Sequence, residues 1–323
     1  MPGFTTRAVT ANGIRLALRD EGSGPAVVLC HGFPELAYSW RHQVPALAAA
    51  GFRALAPDQR GYGDSDRPDD VAAFDVHHLT GDLVGLLDAL DIERAVFVGH
   101  DWGGLVGWMM PLLHPTRTAG VVGVNTPYLP RAPMAPIAML RAAFGDSHYM
   151  VHFQQPGEAD AALARDVRRV FTQLMRRGVP PEEAAARLAA WGRMPTMVEM
   201  VEAPESLGAA LLSEEDLAVY VDAFNRTGFT GGINWYRNMD RNWETTPALD
   251  GARITVPSLM VVAEWDMALP PALAEPMRSL VDDLELATIP QCGHWTPQEQ
   301  PEALNRILAD WLGRRFGVGG GAG

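Results

Sequence analysis

The sequence predicts an α/β fold, a mostly parallel sheet covered by helices on both faces and interrupted by a long helical insertion. Three observations carry this. Short apolar runs and helical patterns alternate from Ala26 to Val124, that rhythm stops near Pro127, and it resumes at Ser258. Continuous apolar runs suit strands buried on both faces, and their alternation with helices implies parallel βαβ units.

The elements follow in order. From Thr5 to Cys30 the pattern is strand-like, with Ile14, Leu16 and Leu18 alternating before the run Ala26 to Cys30. Val44 to Ala50 reads as helix, Arg53 to Ala56 as strand, and Leu79 to Leu90 as an amphipathic helix with Leu83, Leu86, Leu87 and Leu90 at helical spacing. A strand at Ala95 to Val98, a helix from Gly103 to His114 and a strand at Val121 to Val124 complete the first part. Between Leu129 and Asp250 come Pro130, Pro133 and Pro136, then helical stretches such as Ala159 to Arg177 and Pro181 to Trp191, with no convincing strand. The α/β pattern returns with strands at Ser258 to Val262 and Leu284 to Ile289, and helices at Pro271 to Leu280 and Pro301 to Arg315. One domain is therefore expected, with core residues 1–128 and 251–316, an inserted helical region over 129–250, and a flexible Gly/Ala tail over 317–323.

Composition narrows the function. The 323 residues carry 26 basic and 39 acidic side chains, a net charge of -13, which argues against nucleic acid as partner. Every basic residue is Arg, a bias that suggests a GC-rich, bacterial coding sequence. Cys30 and Cys292 are too few for a disulfide framework. Cys292 stands two residues from His294, but nucleophilic Cys-His pairs come from separate segments, so a packed small residue is the better reading. The start of the chain lacks the pattern of a secretory leader and no run approaches a membrane span, so the cytoplasm is the expected location and a membrane is not an expected partner. No pattern for a cofactor or metal is present.

Ligands of open parallel sheets lie beyond the carboxyl ends of the strands, and four such ends carry reactive residues. They are His31-Gly32-Phe33-Pro34, Gly99-His100-Asp101-Trp102-Gly103-Gly104, Glu264-Trp265-Asp266 and Cys292-Gly293-His294-Trp295. The second has the spacing of a nucleophile elbow, Gly-x-Nu-x-Gly, with Asp in the reactive slot. An Asp just before a helix is ordinarily an N-cap. Here the flanking glycines, and an acid and a His downstream in the order nucleophile, acid, His, favour a nucleophile instead.

At this point the chain, apart from its tail, resembles the α/β-hydrolase superfamily and within it the soluble epoxide hydrolases. The strings HGFPELAYSWRHQ, DQRGYGDSDRP, GHDWGG, YMVHFQQPG, GGINWYRNMDRNW and CGHWTPQEQP carry the resemblance. It implies an eight-stranded, mostly parallel sheet, a helical lid, and two lid tyrosines facing the nucleophile, here Tyr149 and Tyr236. It implies hydrolysis of a small apolar epoxide by water to a vicinal diol, through an alkyl ester on Asp101. An Asp, ionised at neutral pH from a reference pKa of about 3.9, needs no base, while tyrosines with a reference near 10 keep the proton they donate to the epoxide oxygen. His294 would then act as base toward water, with Asp266 orienting its ring, since the other position that can carry this acid is Asn125. The backbone N–H groups of Phe33 and Trp102 fit the oxyanion slots of the fold. A cis Phe33-Pro34 bond suits the tight turn, and Glu35 beside it reads as a solvated surface acid before it reads as a residue that places water.

Two alternatives stay open. A haloalkane dehalogenase shares the nucleophile and the Trp after it, but usually presents Asn where this chain has Phe33. Fluoroacetate-cleaving relatives carry Arg where it has Trp102. A ligand-binding protein on the same fold is the other class of answer. The particular epoxide, regio- and enantioselectivity and oligomeric state are not legible.

Overall fold

The computed structural model describes residues 6–204 and 206–317. The tail, apart from Gly317, and the first five residues of the chain lie outside the described residues. Eight strands form one sheet: β1 (Arg7–Ala11), β2 (Ile14–Glu21), β3 (Ala26–Cys30), β4 (Arg53–Pro57), β5 (Ala95–His100), β6 (Thr118–Val124), β7 (Ser258–Ala263) and β8 (Leu284–Ile289), in the order β1-β2-β4-β3-β5-β6-β7-β8. The β1-β2 and β2-β4 pairs are antiparallel and the remainder are parallel.

The period-two geometry of strands sorts the apolar runs onto two faces. Val27, Leu29, Val96, Val98, Val122 and Val124 point to one side, where α1 (Gln43–Ala49) and the C-terminal α14 (Pro301–Phe316) cover them with Leu47, Leu308 and Trp311. Val28, Cys30 and Phe97 point to the other, under α2 (Val76–Ala89) and α3 (Trp102–Leu113), which contribute Leu83, Leu86, Val106 and Met110. Each such side chain, fully buried, stabilises the fold by roughly 1.5–3 kcal/mol before ordering costs. Asp75 starts α2 as its N-cap, accepting from the His78 N–H at 3.0 Å. The same carboxylate accepts from Arg241 of the insertion at 2.9 Å, so one residue caps a core helix and ties the insertion to it.

Between β6 and β7 the described residues form α4 (Pro136–Phe144), α5 (Tyr149–His152), α6 (Glu158–Ala164), α7 (Val167–Leu174), α8 (Pro181–Ala189), α9 (Met197–Glu202), α10 (Glu214–Thr227), α11 (Thr230–Arg237) and α12 (Met239–Thr245). The single helix expected over Ala159 to Arg177 is two. Asp166 caps the second, its carboxylate accepting from the Arg169 N–H at 2.9 Å. The stretch expected as a helix near Pro271 is a 3-10 segment, Pro271–Ser279, because Pro276 within it removes a donor and crowds the preceding turn. A short α13 (Thr296–Glu299) precedes α14. No helix of the described residues is long and apolar enough to cross a membrane.

Candidate active site

The turn from β5 into α3 is a sharp elbow. Asp101 sits at φ 50°, ψ -122°, a conformation that costs a non-glycine residue on the order of 1–3 kcal/mol. A Cβ on Gly99 would collide with the Gly103 carbonyl, and one on Gly103 with the Cys30 carbonyl, so both flanking positions have to be glycine. The Thr126 hydroxyl donates to the Asp101 carbonyl at 2.8 Å and helps hold the turn. Asp101 occupies the N-cap position of α3, yet its carboxylate makes no capping bond there. It points instead across the top of the sheet.

There the Phe33 N–H donates to Asp101 Oδ1 at 2.8 Å, and the Trp102 N–H also bonds the carboxylate. The two expected oxyanion donors therefore converge on one group. The Phe33-Pro34 bond is cis. His31 holds this loop: its Nε2 accepts from the Gln59 N–H and its Nδ1 donates to the Gly32 carbonyl, each at 3.0 Å.

From the loop after β8, His294 Nε2 reaches to 3.8 Å from Asp101 Oδ2, and its Nδ1 donates to Asp266 Oδ2 at 3.0 Å. Asp266 Oδ1 accepts from the Ala268 and Leu269 N–H groups at 2.9 Å each. Burial alone would push Asp266 up, but the His294 charge and hydrogen bond, the Leu269 N–H and the Asn125 amide bring it down to about 2. Burial opposes charge on His294, yet Asp266 first and Asp101 after it raise its pKa to about 9. Asp101 itself is raised by burial, against the lowering effect of the two histidines and the two N–H donors.

The insertion brings Tyr149 and Tyr236 over this group. Tyr236 is buried edge-on against Trp102, Phe33 and Phe153, with centroids 5.0, 5.4 and 5.1 Å away, and the Trp102 indole N–H bonds its hydroxyl. The two tyrosine rings lie 5.8 Å apart and share a hydrogen bond. Burial and the Asp101 charge raise both phenols above their ordinary range, so both keep their protons at neutral pH.

Glu35 corrects the sequence reading. It is fully buried, not a surface acid: Oε2 accepts from the Gly32 N–H at 2.9 Å and faces His100 Nδ1 at 2.7 Å, while Oε1 has no hydrogen-bond partner among the described residues. Burial raises its pKa, but His100 and the Gly32 N–H bring it down to about 2. His100 Nε2 in turn donates to the His294 carbonyl at 2.7 Å. Neither His100 nor the Asn125 amide, which donates to Asp266 Oδ2 at 2.7 Å, was expected to contribute. His100 had one usable signal, its place inside the elbow between Gly99 and Asp101. Cys292 is buried and its thiol is pushed up to about 12 by burial, which removes the thiolate reading.

A model of the α/β hydrolase fold matches residues 25–301. The chain is 46% identical to "Epoxide hydrolase A" of Mycobacterium tuberculosis (strain ATCC 25618 / H37Rv) over 95% of this chain and 97% of that protein. It is 41% identical to "Bifunctional epoxide hydrolase 2" of Sus scrofa over 93% of its own length, and spans about half, 53%, of that longer protein. Among solved structures, Epoxide Hydrolase A from Mycobacterium thermoresistibile superposes with a TM-score of 0.88 at 42% identity, covering 95% of this chain and 98% of the other. An epoxide hydrolase from an endophytic Streptomyces gives 0.89 at 38% identity, over 97% and 96%. The elbow, the paired phenols and these likenesses lead to one assignment: the chain belongs to the epoxide hydrolases of the α/β hydrolase fold.

Proposed function

We propose that this epoxide hydrolase converts epoxides to vicinal diols through an alkyl ester on Asp101, with residues 129–250 serving as the lid. The observation that carries the reading is the division of labour between the two Asp101 oxygens. Oδ1 is held by the Phe33 N–H, whereas Oδ2 faces His294 Nε2 at 3.8 Å, beyond hydrogen-bond reach of that ring. Oδ2 attacks an epoxide carbon, the carbon–oxygen bond of the ring breaks on the opposite side, and Tyr149 or Tyr236 gives its proton to the departing oxygen. General acid help of this kind is typically worth on the order of 10² to 10⁴ in rate.

Ester formation discharges Asp101, one of the three neighbouring charges, with Asp266 and Glu35, that keep the proton on His294. The proton passes to the tyrosinate, directly or through water, and leaves neutral His294 ready to act as base. His294 Nε2 then takes a proton from water, whose oxygen adds to the ester carbonyl carbon. Negative charge develops on Oδ1, already opposite the Phe33 N–H, with the Trp102 N–H on the same carboxyl group, so these donors need little reorganisation. Collapse breaks the bond from that carbon to Oδ2, and the diol leaves with Oδ2 and the proton from His294. Asp266 keeps the His294 tautomer and steadies its cation. Glu35 Oε1, buried without a partner among the described residues, supplies an acceptor for the hydrolytic water.

A halide-releasing reading is less well supported, because the Phe33 ring packs edge-on against Tyr236 where an Asn would be wanted. Parallel incubation of the protein with a styrene-type oxide and a haloalkane tests this: diol without halide is expected. Halide release without diol would reverse the conclusion.

A further inference from the structure

The loop that carries His294 is held from two sides. From the core, the Trp265 N–H donates to the Cys292 carbonyl at 2.8 Å and His100 donates to the His294 carbonyl. From the insertion, the chain just after α7 lies directly against it. The Trp295 indole N–H donates to the Leu174 carbonyl at 2.7 Å. Gly178 and Gly293 meet back to back: a Cβ on Gly178 would stand 2.5 Å from Gly293 Cα, and one on Gly293 2.6 Å from Gly178 Cα. Between these two backbones sits one buried carboxylate. Glu299 Oε1 accepts from the Gly178 N–H and Oε2 from the Gly293 N–H, each at 3.0 Å, and the Glu299 carbonyl accepts from Arg177 at 3.4 Å.

We infer that Glu299 is a positioning residue for His294, clamping the base-bearing loop to the insertion through the adjacent Gly293 N–H. The inference rests on the ester mechanism proposed above. Among the described residues Glu299 makes no hydrogen bond or ion pair to Asp101, Tyr149 or Tyr236, so its work falls on the second half-reaction. Burying a carboxylate is costly unless its oxygens are hydrogen-bonded, and both of these oxygens are spent on backbone donors. A Gln here keeps one acceptor and turns an N–H toward an N–H, so one of the two backbones is released. Displacement of a reacting group by about 1 Å can cost on the order of 10²-fold in rate.

The test separates ring opening from ester hydrolysis by rapid quench and intact-mass measurement of the alkylated protein, with styrene-type oxide as substrate and His294→Gln as reference for full trapping. For Glu299→Gln, alkylation within about twofold of the unsubstituted protein is expected, with hydrolysis slowed by roughly ten- to a hundredfold. Gly178→Ala is expected to do the same, because its added Cβ presses on Gly293 from the insertion side. It also carries the test if Glu299→Gln does not fold. Hydrolysis at the unsubstituted rate in a folded variant would overturn the inference, as would a loss confined to alkylation, which would mean that the clamp serves the tyrosines. If His294→Gln itself traps no ester, the ester mechanism fails, and this inference with it.

Discussion

His294 Nε2 stands 3.8 Å from Asp101 Oδ2, close enough for charge attraction and too far for a hydrogen bond. In the proposed mechanism the separation leaves the attacking oxygen unbound by His294, while the Asp101 charge helps to protonate the histidine. On that proposal the base of the second step is stored in its acid form until the first step has removed one of the charges that hold it there.

The proton on His294 should therefore depend on the state of Asp101. In the resting protein His294 titrates at about 9, raised by Asp266 and Asp101 against the effect of burial. In the ester the Asp101 charge is gone, so the rising limb of the hydrolysis rate against pH should lie below the resting value. Single-turnover hydrolysis across pH, beside NMR titration of His294 in the free protein, checks this. Coincident values would mean that Asp101 does not control the base.

The His294–Asp266 pair has a consequence for stability. The folded pKa of His294 lies above the unfolded value of about 6.5, so its contribution is complete below that pH and is lost as pH rises through about 9. Asp266 is depressed to about 2, so its share is present above about 3.9 and lost as pH falls toward 2. Both shifts share the His294–Asp266 interaction and are not additive. The difference in Tm between the unsubstituted protein and His294→Gln should narrow from pH 6 to pH 10. A constant difference would contradict the linkage.

Replacing Tyr149 and Tyr236 together by Phe should lower the alkylation rate by at least about 10³, and either change alone by less, because the remaining phenol still faces the oxygen. Stopped-flow quenching of tryptophan fluorescence provides the measurement, since Trp102 lies 5.0 Å from the Tyr236 ring. Near-normal alkylation in the double variant would remove the tyrosines from the mechanism.

What the sequence revealed followed its local chemistry. The elbow at Gly99 to Gly103 is written in consecutive residues, and strand ends fall where apolar runs stop, so Asp101, Asp266 and His294 were readable with the sheet. Tyr149 and Tyr236 were readable only as motif matches, since the aromatic packing around them joins Phe33, Trp102 and Phe153 from distant segments. The burial of Glu35 is not legible in the sequence, because a charged loop residue is ordinarily solvated and the partner that makes its burial tolerable, His100, stands 65 positions away. Asn125 stands out in the sequence for the acid it lacks, whereas its amide contact to Asp266 spans 141 positions. Pairings of that range are set by the completed sheet.

The most direct measurement of the account is a single turnover in heavy-oxygen water, with enzyme in excess over epoxide, followed by mass analysis of the peptide containing Asp101. The ester mechanism expects the heavy oxygen in the Asp101 carboxylate and an unlabelled diol, because water attacks the ester carbonyl and the diol departs with an oxygen that belonged to Asp101. A labelled diol and an unlabelled Asp101 would mean that water opens the ring directly, and would contradict the assignment of Asp101 as nucleophile.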